Sequence, residues 1–272
     1  MSEIRSLRRE DIPGALRLCR FAGWNQTEED WARILRLEPE GCFALEEGGE
    51  LAATATAITF GRELGWIGMV LTGPAHRGKG FATALMERAI AWLEERQVRW
   101  IKLDATDMGR PIYLKLGFED EELVERWARP PGEAPRAEVE PLRLDGDLDR
   151  IAFGADRSRL LDDLARTGEA ASSGAGYAFG RPGANAAYFG PCVSRDAASA
   201  RNLLQWFLGE HAGETVFWDI LPANREALDL AAEFGFERRR RLVRQARPGA
   251  ANCAPLPHRN ELVYAIAGFE YG

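Results

Sequence analysis

The strongest pattern in the chain is the ten-residue segment Gly73-Pro74-Ala75-His76-Arg77-Gly78-Lys79-Gly80-Phe81-Ala82. An apolar run before it predicts a strand over 64–72, and an amphipathic pattern predicts a helix over 77–95. The segment is neither a Walker loop nor a dinucleotide fingerprint, because it contains neither GxxxxGK[ST] nor GxGxxG. Its glycines let a ligand approach the backbone, and the N–H groups that begin the helix favour an anion such as a pyrophosphate. A glycine-rich turn that binds no ligand is the alternative interpretation.

A second motif, Tyr113-Leu114-Lys115-Leu116-Gly117-Phe118, follows about 30 residues later. Together the two motifs resemble the landmarks of the Gcn5-related N-acetyltransferase (GNAT) family. Arg77, Gly80 and Ala82 match that family's acetyl-CoA loop, Gln/Arg-x-x-Gly-x-Gly/Ala, and the second motif matches Tyr-x-x-x-Gly-Phe. Two motifs at this separation argue against the turn without a ligand.

The resemblance implies a mixed α/β fold in which helices flank a central mixed, mostly antiparallel sheet. Proline and glycine crowd the segment 129–135, which reads RPPGEAP and predicts a linker over 129–138. The second half repeats the rhythm of the first. We therefore expect a catalytic acetyltransferase domain over 1–128 and a degenerate domain of the same fold over 139–272.

The resemblance also assigns roles. Val70, Leu71 and Thr72 would pair with the pantetheine arm as an added strand, and an N–H near Val70 would polarise the thioester carbonyl. Tyr113 would protonate the leaving thiolate, although a packed aromatic side chain is its alternative interpretation. The backbone that would hold the pyrophosphate of acetyl-CoA belongs to Arg77, Gly78, Lys79, Gly80, Phe81, Ala82 and Thr83.

The acceptor side is less defined by the sequence. An alkylammonium group has a pKa of about 10.4, so only about one molecule in 2500 is a free amine at pH 7. Glu63 and Asp104 are candidate bases near the ends of central strands, with solvated carboxylates as the alternative. Trp24 and Asn25, in the loop between the first two predicted helices, are acceptor-binding candidates.

Other aromatic side chains have competing interpretations. Phe21 and Trp31 lie in the first predicted helix pair, and we expect both to belong to the hydrophobic core. From the second half, Tyr177, with Arg181 and Asp156, is a candidate to face the acceptor.

The second half carries the landmarks in altered form. Gly235-Phe236 repeats the Gly-Phe pair, but Ala231 stands where the first half has tyrosine. In the matching loop Ala198 replaces the glycine, and Asp196 would place a carboxylate beside a pyrophosphate. We expect this half not to bind acetyl-CoA.

Composition excludes several classes. The net charge is −7, which does not favour nucleic-acid binding, and the absence of a run of 18 apolar residues excludes a transmembrane helix. Three dispersed histidines and no CxxC pair predict no metal site. Unpaired cysteines at 19, 42, 192 and 253 read as small apolar residues in a reducing cytoplasm.

The sequence thus predicts an acetyl-CoA-dependent N-acetyltransferase, a monomer or homodimer, that moves an acetyl group to a small-molecule primary amine. A non-catalytic acyl-CoA-binding or regulatory module is the first alternative. A protein N-terminal or lysine acetyltransferase is the second.

Overall fold

The computed structural model describes residues 2–249 and 254–272. The strands are β1 Ser2–Ser6, β2 Cys42–Glu47, β3 Glu50–Phe60, β4 Leu64–Thr72, β5 Trp100–Ala105, β6 Glu119–Arg129, β7 Glu140–Pro141, β8 Glu169–Ser173, β9 Gly176–Arg181, β10 Ala187–Ser194, β11 Val216–Ile220, β12 Glu237–Pro248 and β13 Val263–Ala265. The helices are α1 Ile12–Ala22, α2 Glu28–Leu37, α3 Phe81–Glu95, α4 Arg110–Lys115, α5 Gly146–Phe153, α6 Ser158–Thr167, α7 Ala197–Glu210 and α8 Arg225–Glu233.

The chain forms two compact units. Of the described residues, unit 1 comprises 2–120, 245–249, 254 and 271, and unit 2 comprises 121–244, 255–270 and 272. The division differs from the linker predicted over 129–138, because β6 pairs antiparallel with β11 and most of β6 thereby belongs to unit 2. The assignment of a catalytic and a degenerate domain to 1–128 and 139–272 stays a prediction.

Unit 1 is built on the strand order β1-β2-β3-β4-β5, followed by the end of β12. Pairing is antiparallel from β1 to β4 and parallel between β4 and β5. Gly48 and Gly49, both with positive φ, make the tight turn between β2 and β3. Helix α3 buries its apolar face, including Leu85, Ala89 and Leu93, against this sheet.

The first helix pair largely follows the predictions. Thr27 and Asp30 form a capping box at the start of α2, with the Thr27 N–H donating to Asp30 Oδ2 at 2.8 Å. Trp31 is fully buried as expected, but Phe21 is 66% exposed, so the prediction that Phe21 belongs to the core is wrong. Phe21 lies at the last turn of α1, where the apolar face no longer meets the sheet.

Unit 2 has the strand order β12-β6-β11-β10-β9-β8-β7, with β13 paired to β10. Helices α7 and α8 pack on its core, which includes Phe207, Trp218 and Leu230. Two of the four consecutive arginines, Arg238 and Arg241, donate to the buried Glu125 and are themselves exposed.

Among the described residues, no helix is long and apolar enough to cross a membrane. Cys19, Cys42 and Cys192 are buried free thiols, which fits the interpretation as small apolar residues, and Cys253 lies outside the described residues.

Candidate functional site

The glycine-rich segment forms an open loop between β4 and α3. The Gly73 N–H donates to Ala52 O at 2.9 Å and ties the start of the loop to β3. Gly78 and Gly80 have φ values of +78° and +82°, a backbone conformation that favours glycine. A Cβ placed on either glycine would meet no atom within 4 Å, so the space over both is open.

Helix α3 begins at Phe81, four residues later than the sequence predicts, because the left-handed Gly80 is its N-cap. Ala84 donates to Gly80 O at 3.0 Å, so the N–H groups before Ala84 have no helical acceptor. No side chain caps this end of the helix. The loop therefore presents a row of backbone donors over the open space, in the region predicted to bind the pyrophosphate.

Charged side chains surround the loop. Glu47 Oε2 accepts from Lys79 Nζ at 2.5 Å and lies 2.7 Å from His76 Nδ1. These two partners, Lys79 first, lower the pKa of the Glu47 carboxyl. The His76 ring stacks on Phe81, and Arg77 is exposed. The loop thus holds two exposed cations, one of which is paired with a carboxylate.

Strands β4 and β5 are paired over only three residues. Leu64 pairs with Trp100, Gly65 with Ile101, and Trp66 with Lys102, and the pairing then stops. Beyond it, β4 continues to Thr72 while remaining paired with β3 on its other side. The two strands therefore separate towards the glycine loop, and the backbone of 70–72 faces the gap between them.

A β-bulge lies in β4 where the gap opens. The β3–β4 register shifts between Thr54 and Thr56, and Met69 has a φ of +49°. A non-glycine residue in this region is uncommon, and such strain clusters at functional sites. The Thr54 hydroxyl donates to Met69 O at 2.8 Å and is fully buried. Sequence reasoning did not identify Thr54 or the bulge, because a bulge has no residue signature unless it uses glycine.

Tyr113 lies on the short helix α4 that follows β5. It is 8% exposed and belongs to the unit 1 core. Its ring makes an edge contact with the ring of Phe118, with 6.2 Å between the two ring centroids. Burial raises the pKa of its hydroxyl, so the phenol stays protonated at neutral pH. Gly117, with a φ of +84°, ends α4, and the Phe118 N–H donates to Tyr113 O at 3.1 Å.

The two candidate bases lie at different places. Asp104 is half-buried near the end of β5, beyond the last β4–β5 pair and so where the strands separate. Glu63 precedes β4 at the end opposite to the glycine loop. The six residues from Glu63 to Met69 span about 20 Å in an extended strand, which argues against Glu63 as a base at the bulge.

Helix α1 crosses the sheet near the opening of the gap. A Cβ on Gly14 would lie 3.1 Å from Leu51 Cδ2, at the start of β3. Leu18 lies one turn after Gly14 in α1. Its Cδ2 would lie 3.3 Å from a Cβ placed on Gly73, just beyond the end of β4. Helix α1 thus runs from the start of β3 towards the end of β4.

The loop that follows α1 carries the acceptor-binding candidates. Trp24 is half-buried, Asn25 is 6% exposed, and Phe21 beside them is the exposed aromatic noted above. The loop ends at the Thr27 cap of α2. Asp30, which closes that cap, is also bound by the buried Arg33 at 2.9 Å. The loop is therefore held from α2 while presenting aromatic surface.

Unit 2 contains the counterpart of the glycine loop, but its own side chain fills the helix start. Asp196 is the N-cap of α7, and its Oδ1 accepts from the Ser199 N–H at 2.8 Å. Its Oδ2 accepts from the Ser199 hydroxyl at 3.0 Å. Asp196 therefore occupies the N-cap position that Gly80 has in unit 1, and its carboxylate fills the place that is open there. The prediction that Ala198 replaces the loop glycine is wrong, because Ala198 lies in the first turn of α7, where α3 has Ala82.

The strand gap of unit 2 is also filled from within. β10 and β11 are parallel over three residues, Ala187–Phe189 with Val216–Trp218, as β4 and β5 are in unit 1. β13 then pairs antiparallel with the rest of β10, Cys192 with Ala265 and Val193 with Val263. On the other side the Ile266 N–H donates to Asp219 O at 3.1 Å.

Counting from the first parallel pair, Val193 is the counterpart of Val70. β13 thus lies where the sequence predicts the pantetheine arm in unit 1. Asn224 holds it there, donating from Nδ2 to Val263 O at 3.1 Å and Glu261 O at 3.0 Å.

The end of α8 repeats the end of α4. Gly235 has a φ of +75°, and the Phe236 N–H donates to Ala231 O at 2.9 Å. The structure therefore aligns Ala231 with Tyr113, and unit 2 has no phenol at that position of its helix.

Tyr177 is not placed to face an acceptor. It is 1% exposed, and its hydroxyl donates to Asp149, which also binds Arg157 at 2.8 Å. Arg181 is likewise buried and paired with Glu270 at 2.9 Å. Asp156 is exposed and accepts from the Ser158 N–H at 2.9 Å. Strand β9 is covered on both faces, which the alternating pattern of Tyr177 and Phe179 did not reveal.

Unit 1 thus fits a ligand with a pyrophosphate and an extended arm. The open donors at Gly78–Thr83 suit the pyrophosphate, and the gap beside 70–72 suits an arm that bonds to backbone. Burial keeps the Tyr113 phenol protonated, and its role as a proton donor stays a prediction.

Two family models match the chain. The model described as acetyltransferase (GNAT) family matches residues 3–118, and the one described as acetyltransferase (GNAT) domain matches residues 146–265. The chain is 30% identical over 173 residues to the uncharacterized N-acetyltransferase YitH of Bacillus subtilis, covering 60% of each chain. It is 28% identical over 145 residues to an uncharacterized N-acetyltransferase of Methanocaldococcus jannaschii, covering 46% of this chain and 64% of that one. The chain therefore spans less than two thirds of the length of either relative.

Solved structures share the fold. An acetyltransferase candidate from Pyrococcus horikoshii superposes with a TM-score of 0.86 at 22% identity, covering 100% of this chain and 96% of that one. A tandem GNAT protein of the clavulanic acid biosynthesis pathway superposes with a TM-score of 0.64 at 13% identity, covering 93% and 100%. At these identities the likeness concerns the fold.

Proposed function

Because the chain belongs to the acetyltransferase (GNAT) family, we propose that unit 1 transfers an acetyl group from acetyl-CoA to a primary amine of a small molecule by direct attack. The observation that carries the proposal is the gap between β4 and β5, which opens onto uncapped backbone donors in unit 1. In unit 2 the chain itself fills both features. If both units served only as structural scaffolds, unit 1 would have no need of an open strand gap or of uncapped backbone donors.

Different segments of unit 1 bind different parts of acetyl-CoA. Backbone N–H groups of 77–83 hold the pyrophosphate, with Arg77 and Lys79 adding positive charge. The backbone of Val70, Leu71 and Thr72 pairs with the pantetheine arm. Bound acetyl-CoA supplies a thioester, whose carbonyl carbon accepts the amine and whose sulfur leaves as a thiolate.

Two groups of the chain act on the reaction. An N–H at the bulge, near Val70, donates to the carbonyl oxygen as negative charge develops on it. Tyr113 holds a proton at Oη and gives it to the departing sulfur. Since burial raises the pKa of this hydroxyl, the donor form persists at all physiological pH values.

The acceptor amine enters from the α1–α2 loop. Trp24 and the exposed Phe21 offer aromatic surface to an ammonium group or an apolar substituent. Asp104, where β5 leaves β4, is the candidate to accept the amine proton, directly or through water. The chain works as a monomer or homodimer in a reducing cytoplasm.

The proposal is tested with the purified chain, acetyl-CoA and an amine library, with release of free thiol as the readout. Tyr113→Phe should lower turnover by about 10²- to 10⁴-fold and leave CoA affinity nearly unchanged. Gly80→Trp should abolish CoA binding in calorimetry by filling the open space over the loop. Leu114→Ala, an exposed neighbour on α4, is the matched control and should leave both unchanged.

The outcomes separate the alternatives. CoA binding that Gly80→Trp abolishes, without turnover on any amine or peptide, identifies a non-catalytic acyl-CoA-binding module. Turnover on peptides in preference to small amines identifies a protein acetyltransferase. Wild-type turnover in Tyr113→Phe refutes the role of the phenol.

A further inference from the structure

Thr54 is a buried side chain that contacts the one irregular point of β4. Its hydroxyl donates to Met69 O at 2.8 Å, across the register shift between β3 and β4. Both residues are almost completely excluded from solvent. Regular strand pairing satisfies carbonyl groups through the backbone, so a side chain that takes over this acceptor marks a place where the ladder is interrupted.

The interruption carries strain. Met69 has a φ of +49°, and a non-glycine residue keeps such a conformation only where its surroundings enforce it. The Thr54 hydrogen bond is such an enforcing contact, since it fixes the direction of the Met69 carbonyl. The peptide plane that contains Met69 O also contains the Val70 N–H. Fixing the carbonyl therefore fixes the direction of that N–H.

We propose that Thr54 is a positioning residue that holds the bulged Met69–Val70 peptide so that the Val70 N–H points into the gap between β4 and β5. This inference rests on the proposed acetyl transfer, in which that N–H binds the thioester carbonyl. Thr54 acts through the backbone and touches no substrate atom.

The same strand provides a matched control. Thr56 lies two residues further along β3, is also fully buried, and has a hydroxyl without a hydrogen-bond partner among the described residues. Val replaces Thr with nearly the same shape, so Thr54→Val removes the bond to Met69 O while Thr56→Val removes none. Any effect of burying an extra methyl group on β3 should appear in both variants.

The test compares both variants with the wild-type chain at saturating acetyl-CoA and amine. Thr54→Val should lower kcat by about 10- to 100-fold, since a displaced oxyanion donor is lost from the transition state, and should change CoA affinity less than threefold. Thr56→Val should leave both within twofold of wild type. Thr54→Ser keeps the hydroxyl and should restore kcat.

Amide hydrogen exchange gives a readout that needs no turnover. Exchange at Met69, Val70 and Leu71 should accelerate in Thr54→Val and not in Thr56→Val. Equal kcat in the two variants, or unchanged exchange at 69–71 in Thr54→Val, overturns the inference. If Thr54→Val does not fold, Thr54→Cys replaces it in the test, because a thiol is a weak donor. The kcat of Thr54→Cys should then be lower than that of Thr54→Ser, and equal kcat values for these two variants would overturn the inference.

The proposed function and this inference fail in different ways. A wild-type chain that releases no thiol with any amine refutes acetyl transfer. Accelerated exchange at 69–71 in Thr54→Val would still hold in that case and would show that Thr54 fixes the bulge.

Discussion

The Tyr113 hydroxyl lies directly against the backbone of Gly109: a Cβ at position 109 would come 2.9 Å from Oη and 2.7 Å from Cε2. Gly109 has a φ of −80° and a ψ of −35°, a conformation that alanine adopts without strain. The glycine is therefore required for space. It lets the phenol lie flat against the start of α4.

Gly109→Ala should displace the Tyr113 ring while leaving the backbone unchanged. We expect kcat to fall by about 10- to 100-fold, because a shift of about 1 Å in a catalytic group has this cost, and CoA affinity to stay within threefold. Steady-state kinetics and calorimetry check both. In a Tyr113→Phe background the same substitution should add little, and a full additive loss would contradict the coupling.

The Gly109–Tyr113 contact shows where sequence reasoning ends. Local signals predicted the glycine loop, β4 and α3, since glycine and hydrophobic periodicity are read from neighbouring residues. The role of Gly109 has no signal in the sequence, because it depends on how closely the Tyr113 ring packs against the backbone of Gly109. The same applies to Thr54.

Long-range pairing was the other source of error. β6 pairs with β11, which lies about 90 residues later, and nothing in the sequence of β6 identifies that partner. β13 is a three-residue strand whose place beside β10 depends on Asn224 and on a gap formed by other strands. Tyr177 was misjudged for the same reason, since Asp149 buries its hydroxyl from another element.

The raised pKa of Tyr113 predicts a pH profile. The hydroxyl stays protonated through pH 10, so turnover should rise with pH as the amine loses its proton and should show no descending limb below about pH 10. Initial rates over pH 6–10 check this. A descending limb within that range that disappears in Tyr113→Phe would contradict it.

The same shift affects stability with a definite sign. The unfolded tyrosine ionises near pH 10 and the folded one above that, so the folded state holds more protons in this window and loses stability as pH rises. Relative to Tyr113→Phe, the wild-type chain should therefore lose free energy of unfolding above about pH 10 and none of it below pH 9. Urea denaturation of both chains, once below pH 9 and once above pH 10, measures the difference in the free energy of unfolding.

The ion pair between Lys79 and Glu47 predicts that substitutions at the two positions have coupled effects on CoA affinity. Lys79→Ala removes a cation from the loop and leaves the Glu47 carboxylate facing the anion site with only His76 beside it. CoA affinity should fall by about 3- to 10-fold at low salt, and less at high salt. Adding Glu47→Gln should recover part of the loss, because the unpaired negative charge is then gone.

Calorimetric titrations of the single and double variants measure this coupling. Arg195→Ala, which removes an exposed cation from the matching loop of unit 2, is the control and should leave CoA affinity unchanged. A double variant that binds CoA as weakly as Lys79→Ala at every salt concentration would contradict the coupling.

The stoichiometry of CoA binding separates two barriers in unit 2. Asp196 places a carboxylate on the N-terminus of α7 and so opposes a pyrophosphate, and Ala198 adds a methyl group to the first turn of that helix. β13 is a barrier of another kind, since it occupies the backbone groups of β10 that an extended arm would use. The loop can be altered by two substitutions, whereas displacing the strand breaks backbone bonds on both of its sides.

We therefore expect one CoA per wild-type chain, and still one in the Asp196→Gly/Ala198→Gly variant. Opening the loop exposes the helix donors but leaves β13 in the gap, held by Asn224 and by the bond from the Ile266 N–H to Asp219 O. Gly80→Trp should bring the stoichiometry to zero, which assigns the single molecule to unit 1. Two molecules per wild-type chain would contradict the whole argument. A second molecule only in the double variant would mean that the carboxylate and the methyl group, not the strand, exclude the cofactor from unit 2.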